Sequence, residues 1–354
     1  MSQMHRRAIL CGAVTATLGS GLVRGLPCFA DPLAAEPAAT PATDAEPKPL
    51  RLGIIGLDTS HVSTFTRLLN RTDNPLPALR NARIVAAFPA GNPAFPLSQS
   101  RLAGFTKDVQ SQGVEIVSSI AELLPRVDAV LLESVDGTQH LEQARPVLEA
   151  RKPLFIDKPL AASLKDVLAI EALGRKHETP WFTASSSRFT AGYPELRNNE
   201  SVGQILGCDT YSQSRAAPGH PDLFWYGMHG VDLLYSLMGT GCESVTAVQT
   251  QYTEQVTGVW RGGRVGTYRA IREHTGKTGL GATVFGTKGI VTVNQYYDYT
   301  PLVTAIVNFC RTGQSPVPVA EMVEVFAFLA AAEESKRRTG QPVKLEEVRT
   351  QARS

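Results

Sequence analysis

The stretch RLGIIGLDTSH, residues 51–61, decides the fold. It is a short apolar run that ends in Gly56 and leads into a segment with helical spacing of apolar residues, 60–70, which predicts a strand, a tight turn and a helix. The alternation continues with predicted strands at 82–88, 127–132 and 153–156 and predicted helices at 140–150 and 164–176. Residues 50–180 are therefore expected to form a doubly wound α/β domain with a parallel sheet.

The pattern changes at Trp181. Strand-like stretches at 245–252, 265–271 and 283–293 surround one predicted helix at 229–238, and two apolar-periodic helices follow at 302–311 and 319–338. We expect residues 181–347 to form an α+β domain with a mainly antiparallel sheet, which would bind substrate and mediate oligomerisation.

The chain begins with a predicted targeting segment over residues 1–30. Arg6 and Arg7 stand before a modest apolar run, as in a twin-arginine signal, although a general secretory leader stays open. A lipid anchor on Cys28 is the less favoured interpretation. Residues 31–49, rich in alanine and proline, predict a solvated linker. The expected location is the periplasm or another exported compartment, with membrane contact only during export.

Composition excludes one class of partner. The formal net charge of +2 becomes −1 once the three arginines of the leader are removed, which gives no electrostatic basis for binding nucleic acid. Outside the leader, Cys208, Cys242 and Cys310 are widely spaced. They are expected to be three buried small residues, with one disulfide as the alternative.

Five motifs in order carry a resemblance. They are FIDKPL at 155–160, GMHGVD at 227–232, VFGTKG at 284–289, TGQSPVP at 312–318 and GQPV at 340–343. Together they resemble the glucose-fructose oxidoreductase, inositol dehydrogenase and rhizopine-catabolism family (Gfo/Idh/MocA). The resemblance implies a Rossmann-like first domain, NAD or NADP as cofactor, a sugar or polyol substrate and a homo-oligomer.

The resemblance also implies site residues. Lys158 and His229 take the positions of the family's catalytic groups, which suits removal of a hydroxyl proton and stabilisation of the resulting alkoxide. The expected cofactor-binding residues are Gly56, Asp58, Thr59, Ser60, His61 and Asp157. The expected substrate-binding residues are Arg188, Trp225, Tyr226 and Asp232.

Three departures from the family pattern bear on the cofactor. Asp58 stands where the second glycine of G-x-G-x-x-G would allow close approach of pyrophosphate, and His61 replaces the third glycine. We expect Asp58 to cap its own helix instead. The second strand ends in Phe88 and Pro89 without the usual acidic residue for ribose. Trp225 replaces an aspartate of the active-site helix, and either stacks on a sugar ring or packs internally.

Acidic and imidazole side chains follow several predicted strands. The cluster consists of Asp58, His61, Glu133, Asp136, His140 and Asp157. These side chains could bind a divalent cation, for which all but Asp157 are candidate ligands. Alternatively, they are ordinary helix caps and ion pairs. The tyrosine-rich segment 296–299 predicts a packed strand end or a subunit contact.

Three functions stay open from the sequence. The first is an exported NAD(P)-dependent oxidoreductase acting on a sugar or polyol. The second is a non-redox sugar enzyme on the same scaffold, a lyase, hydrolase or epimerase, with or without a metal. The third is a non-catalytic carbohydrate-binding protein, since one fold supports many functions.

Overall fold

A computed structural model describes residues 48–272, 279–295 and 298–354, which belong to one compact unit. The predicted targeting segment and nearly all of the predicted linker lie outside the described residues, as do Tyr296 and Tyr297. Within the described ranges, no helix has the length and apolar character needed to cross a membrane.

The first sheet has six parallel strands in the order β3-β2-β1-β4-β5-β6. Its strands are β1 (Leu50–Ile55), β2 (Ala82–Phe88), β3 (Glu115–Ile116), β4 (Ala129–Leu132), β5 (Leu154–Ile156) and β6 (Trp181–Thr183). Its helices are α1 (Ser60–Leu69), α2 (Pro96–Ser111), α3 (Ile120–Leu123), α4 (His140–Glu149) and α5 (Leu164–Lys176). The predicted doubly wound sheet is confirmed. It extends through β6, three residues beyond position 180.

The second sheet has seven strands in the order β12-β11-β7-β10-β9-β8-β13, with only the β7–β10 pair parallel. Its strands are β7 (Ile205–Gln213), β8 (Cys242–Gln249), β9 (Thr253–Trp260), β10 (Val265–Ile271), β11 (Leu280–Gly286), β12 (Ile290–Val293) and β13 (Val343–Lys344). Its helices are α6 (Asp222–Trp225), α7 (Met228–Met238), α8 (Thr300–Thr312), α9 (Val319–Arg337) and α10 (Leu345–Arg353). The mainly antiparallel second sheet is confirmed.

Local chemistry explains several of these boundaries. β1 and β4 are apolar and buried almost throughout, as expected for strands covered on both faces. Ser163 caps α5 by accepting a hydrogen bond from the Asp166 amide. Gly313 ends α8 with φ 72°, a left-handed conformation that favours glycine. The predicted strand at 283–293 is a hairpin of β11 and β12, because the turn at 287–289 interrupts it.

Both sheets share one hydrophobic core. α7 and α9 contact each other and pack against the second sheet, and α9 also contacts α5 and β6 of the first. Cys208, Cys242 and Cys310 are buried and unpaired, as the favoured interpretation predicted. The carboxyl ends of the parallel strands, where ligands bind in open α/β sheets, therefore face residues of the second half of the chain.

Candidate active site

A cavity of about 670 Å³ opens at the carboxyl ends of the parallel strands. Its wall includes Thr59, Ser60, Arg101, Lys158, Tyr226 and His229, which come from both halves of the chain. This volume lies within the range of about 300–1,000 Å³ common for small-molecule sites. The lining mixes cations, imidazoles and aromatic rings, so the cavity suits a small polar ligand.

Lys158 and His229 both line this cavity, as predicted. Lys158 follows β5, and its ammonium lies 5.8 Å from the centre of the Tyr226 ring. The Tyr226 ring lies 5.5 Å from that of His229, centre to centre. His229 is in the first turn of α7, and its Nδ1 lies 2.7 Å from the Ser185 hydroxyl. The two residues expected to be catalytic therefore lie in the wall of one cavity.

The environment of His229 keeps its ring uncharged. Burial, reinforced by the charge of Lys158, lowers the pKa of His229 to about 3. A neutral imidazole can accept a proton, which a protonated ring cannot. The Ser185 hydroxyl holds one ring nitrogen, and Ser187 lies 2.7 Å from that hydroxyl. The ring is therefore oriented by a short hydrogen-bonded chain.

Arg188 and Asp232 are not among the residues that line the cavity, which corrects the expectation that they bind substrate. The Arg188 guanidinium pairs with Asp232 at 2.7 Å and with Glu321 at 2.8 Å, and all three side chains are buried. Asp232 also accepts a hydrogen bond from the Ser185 amide at 2.9 Å. The pair acts through Ser185, which it positions beside His229.

Four side chains meet at the floor of the cavity, and all of them except Glu133 line it. His61 Nδ1 lies 2.7 Å from Asp157 Oδ2 and 3.9 Å from Glu133 Oε2. On the other side of the ring, His61 Nε2 lies 3.0 Å from the Tyr299 hydroxyl. His61 is the second residue of α1, whereas Glu133 and Asp157 directly follow β4 and β5. The parallel topology gathers these residues, since neighbouring strands end at one edge.

The two carboxylates of this floor differ in protonation. Burial, with the nearby charge of Asp157, raises the pKa of Glu133 well above its usual value. Burial also acts to raise the pKa of Asp157, but His61 and Lys158 outweigh it and lower the value to about 2. Asp157 is therefore the ionised partner of His61.

Asp58 does not cap its own helix, so that expectation was wrong. Its carboxylate accepts a hydrogen bond from the Val135 amide at 2.8 Å, in the turn after β4, and Thr59 caps α1 by accepting from the His61 amide. Asp58 is fully buried and does not line the cavity. Asp58 bonds a backbone amide 77 residues away instead of an amide of α1, because the turns after β1 and β4 are neighbours in space.

Of the five metal candidates, only His61 and Glu133 come together, with Asp157, whereas Asp58, Asp136 and His140 lie outside this group. Asp136 accepts hydrogen bonds from Thr138 and, at 2.6 Å, from the Asn92 side chain. His140 lies between two backbone carbonyls, those of Ser134 and Leu160. Asp136 is therefore a cap, as the alternative interpretation held, and His140 is a buried structural residue at the start of α4.

Trp225 mainly packs. Its side chain is buried against Phe95 and His220, with edge-on contacts at 5.4 and 4.9 Å between ring centres, although one part reaches the cavity wall. Tyr226 next to it is more open to the cavity. The aromatic face best placed for a ligand is therefore that of Tyr226.

Several features of the turn after β1 fit a nucleotide phosphate. Gly56 has φ 89°, and a Cβ atom there would come within 2.3 Å of the Ser134 hydroxyl, so the tight turn requires glycine. Thr59 and Ser60, at the start of α1, line the cavity, and a helix start is a ready anion site. Because the Asp58 carboxylate is directed at Val135, its charge does not face the start of α1 where a phosphate would bind. The residues present fit a phosphate group there.

Three residues were not predicted as site residues, namely Arg101 and Tyr299 in the cavity wall and Ser185 beside His229. Arg101 lies on α2, which was not predicted because this helix buries little of its surface. Ser185 contacts His229 from a short turn without a motif. Tyr299 comes from a segment predicted to be a packed strand end or subunit contact, yet it lies against His61. The only sequence signal for this part of the site is the alternation of strands and helices, which places the carboxyl ends of the parallel strands at one edge of the sheet.

The fold is a Rossmann-type parallel sheet joined to a second, mainly antiparallel sheet, with the cavity at the carboxyl ends of the parallel strands. The sequence model of a family described as "Oxidoreductase family, NAD-binding Rossmann fold" matches residues 51–184. Over these residues the chain is similar to this family, Gfo/Idh/MocA, in agreement with the resemblance of its motifs.

Two curated relatives are dehydrogenases of inositols. An inositol 2-dehydrogenase from Cereibacter sphaeroides is 30% identical over 165 residues, which cover 45% of this chain and 42% of that protein. A myo-inositol dehydrogenase from Streptomyces leeuwenhoekii is 26% identical over 96 residues, 27% of this chain and 30% of that protein. The matches thus span less than half of either relative.

A solved structure extends the likeness of fold to both halves of the chain. Scyllo-inositol dehydrogenase from Lactobacillus casei, with bound NAD(H) and scyllo-inositol, superposes with a TM-score of 0.68 over 84% of this chain and 100% of that one. Sequence identity is 15%, so the likeness shows the fold alone.

Proposed function

We propose that this protein oxidises a hydroxyl group of a sugar or polyol, with NAD or NADP as the hydride acceptor. The observation that carries the proposal is that Lys158 and His229 line one cavity at the carboxyl ends of a Rossmann sheet. The family and the inositol dehydrogenases among the relatives support the substrate class. Thr59 and Ser60 would hold a phosphate of the cofactor.

Residues of the chain accept the proton of the substrate hydroxyl and stabilise the negative charge on the substrate oxygen. The neutral imidazole of His229 accepts the proton of the substrate hydroxyl, while Ser185 keeps the ring in place. The Lys158 ammonium stabilises the negative charge that develops on the substrate oxygen. The Tyr226 ring offers an apolar face for the carbon side of a sugar ring. Nicotinamide, when bound, supplies the acceptor for the hydride.

The test begins with native mass spectrometry of the purified protein, followed by denaturation to release any nucleotide. Protein without nucleotide is titrated with NADH and NADPH, and turnover is then assayed with inositols and sugars. Lys158→Met should lower kcat by about 10²–10⁴-fold. Lys165→Met, which changes an exposed lysine on α5, is the control and should behave as the unmodified protein. A protein that binds neither nucleotide would sink the dehydrogenase assignment.

One observation favours a second candidate, a non-redox enzyme acting on the same class of substrate. Asp58 bonds the turn after β1 to that after β4, and Asn92 of the turn after β2 bonds Asp136 of the turn after β4. Contacts among these turns narrow the path that a dinucleotide takes across such a sheet. Conversion of a sugar by nucleotide-free protein would favour this candidate.

We also propose that the chain forms a homo-oligomer. The second sheet is covered by α7 and α9 on one face, and its strands expose Leu206, Val248, Val259, Val265 and Ile290. Apolar residues repeated on an open sheet are commonly covered by another subunit.

Export by the twin-arginine route is proposed from Arg6 and Arg7 alone. The route carries folded proteins, so a cofactor could be loaded before export. Replacing both residues by lysine should abolish export of a reporter fused to residues 1–49, whereas continued export would favour a general secretory leader.

A further inference from the structure

His61, Asp157 and Glu133 present three ligand atoms to one point. The Nδ1 atom of His61 and one oxygen of each carboxylate all lie within 4.8 Å of one another. Ligands about 2.1 Å from a tetrahedral ion are about 3.4 Å apart, which lies between the 2.7 and 3.9 Å separations measured from His61. Small side-chain shifts would therefore suffice to seat an ion among them.

Glu133 supplies a second, independent observation. Its side chain has no solvent exposure, and neither carboxylate oxygen has a hydrogen-bond partner among the residues that the structure describes. Buried carboxylates are normally hydrogen-bonded, paired or bound to metal, because an uncompensated one is costly. Its Oε2 is directed at His61 Nδ1, 3.9 Å away, which places the unsatisfied oxygen inside the cluster.

Tyr299 completes the pattern of a metal-binding histidine. A histidine that binds metal through one ring nitrogen commonly engages a hydrogen-bond partner through the other. His61 Nε2 lies 3.0 Å from the Tyr299 hydroxyl, which leaves Nδ1 directed at the two carboxylates. Nδ1 is therefore the ring nitrogen placed to bind a cation together with the two carboxylates. His61 and Asp157 line the cavity, so such a cation would be open to a ligand there.

We propose that His61, Asp157 and Glu133 form a binding site for a divalent transition-metal cation on the floor of the cavity. One imidazole and two carboxylates suit Zn²⁺, Mn²⁺, Co²⁺ or Fe²⁺. The open side of the ion faces the region of Lys158 and His229, where it would bind and polarise an oxygen of a polyol. Metal binding goes beyond the proposed hydride transfer and does not depend on it.

The experiment uses the full mature chain, treated with a chelator and then titrated with Co²⁺, Mn²⁺ and Zn²⁺. Calorimetry gives affinity, elemental analysis gives stoichiometry, and the visible spectrum of Co²⁺ reports coordination. We expect one ion per chain and a Co²⁺ spectrum of low coordination number. Glu133→Gln should weaken binding by more than the roughly 10–100-fold that loss of an outer partner costs.

Two further variants keep the outcome interpretable. Tyr299→Phe removes only the outer hydroxyl and should weaken binding by roughly 10–100-fold. Asp136→Asn alters a buried carboxylate of the neighbouring turn, outside the cluster, and should bind the ion as the unmodified protein does. Thermal unfolding checks that each variant is folded, and if Glu133→Gln is not, Tyr299→Phe decides.

Absence of stoichiometric metal at millimolar concentration would overturn the site, and so would equal affinity in Glu133→Gln or in Tyr299→Phe. A protonated-carboxylic-acid band in the infrared spectrum that persists with metal present and is lost in Glu133→Gln would also overturn it, because the proton would then be the missing cation. NAD(P) binding is measured separately on chelated protein, so failure of either idea is distinguishable from failure of the other.

Discussion

The Asp58 carboxylate accepts a hydrogen bond from the Val135 amide at 2.8 Å and thereby joins the turn after β1 to the turn after β4. Both residues are buried. In a Rossmann sheet these two turns border the crevice that a dinucleotide crosses. We therefore expect this contact to limit how far the crevice opens to a cofactor.

Asp58→Gly should lower the free energy of unfolding and open the crevice between the turns after β1 and β4. It leaves the Val135 amide buried without its partner, at a cost of about 1–3 kcal/mol, and restores the glycine of the family motif. Urea unfolding should show the loss of stability, while fluorescence titration should show tighter NAD(P) binding. Asp58→Asn keeps an acceptor oxygen and serves as the control. Unchanged affinity in Asp58→Gly would mean that the crevice is not limited by this contact.

Arg188→Met should destabilise the fold strongly. It leaves Asp232 and Glu321 buried without their cation, and breaking a buried ion pair from one side costs about 3–5 kcal/mol. The comparison is Arg51→Met, which removes an exposed pair with Asp128 and should lower the free energy of unfolding far less. Equal losses in urea unfolding would contradict the assigned structural role of Arg188.

The stability contribution of His229 should fall as the solution becomes acidic. Its pKa is about 3 in the folded protein against 6.5 in the unfolded chain, so between these values the unfolded state binds the extra proton. The resulting loss is on the order of 1.4 kcal/mol per pH unit below pH 6.5. The difference in unfolding free energy between unmodified protein and His229→Gln should shrink with that slope. A difference that does not change between pH 6.5 and pH 4 would contradict the depressed pKa of His229.

Charges on the open face of the second sheet should separate subunits. Val259 and Val265 face each other across β9 and β10, and both are partly exposed. Light scattering after size exclusion should give a multimeric mass for the unmodified protein and a monomeric mass for Val259→Lys with Val265→Lys. Leu76→Lys, at an exposed apolar residue of the first half, should leave the mass unchanged. A monomeric unmodified protein would refute the oligomer.

Local patterns predicted most of the fold. β2, α5 and β10 match their predicted ranges, because their apolar periodicity is decided by residues close in sequence. α2 was missed because it begins at Pro96 after an irregular loop and buries only Ser98 and Val109, so its sequence lacks an apolar face.

The site was less predictable, because its contacts join distant residues. Lys158 and His229 were found through motifs, whereas the contact between His61 and Tyr299 spans 238 residues and has no sequence pattern. The partners of Asp58 and of Arg188 likewise lie far along the chain. The expected role of Asp58 rested on its position in the glycine-rich loop, and that of Arg188 on the family resemblance. The motifs indicated which residues lie near the site, whereas long-range packing determines where their side chains point.

The position of Trp225 gives the protein a built-in optical reporter. Of the three tryptophans, only Trp225 reaches the cavity, while Trp181 and Trp260 are buried elsewhere. A ligand that enters would alter the surroundings of one indole and leave two as an internal reference. Emission changes that vanish in Trp225→Phe would therefore identify occupants of the cavity, substrate or not, without any assay of turnover.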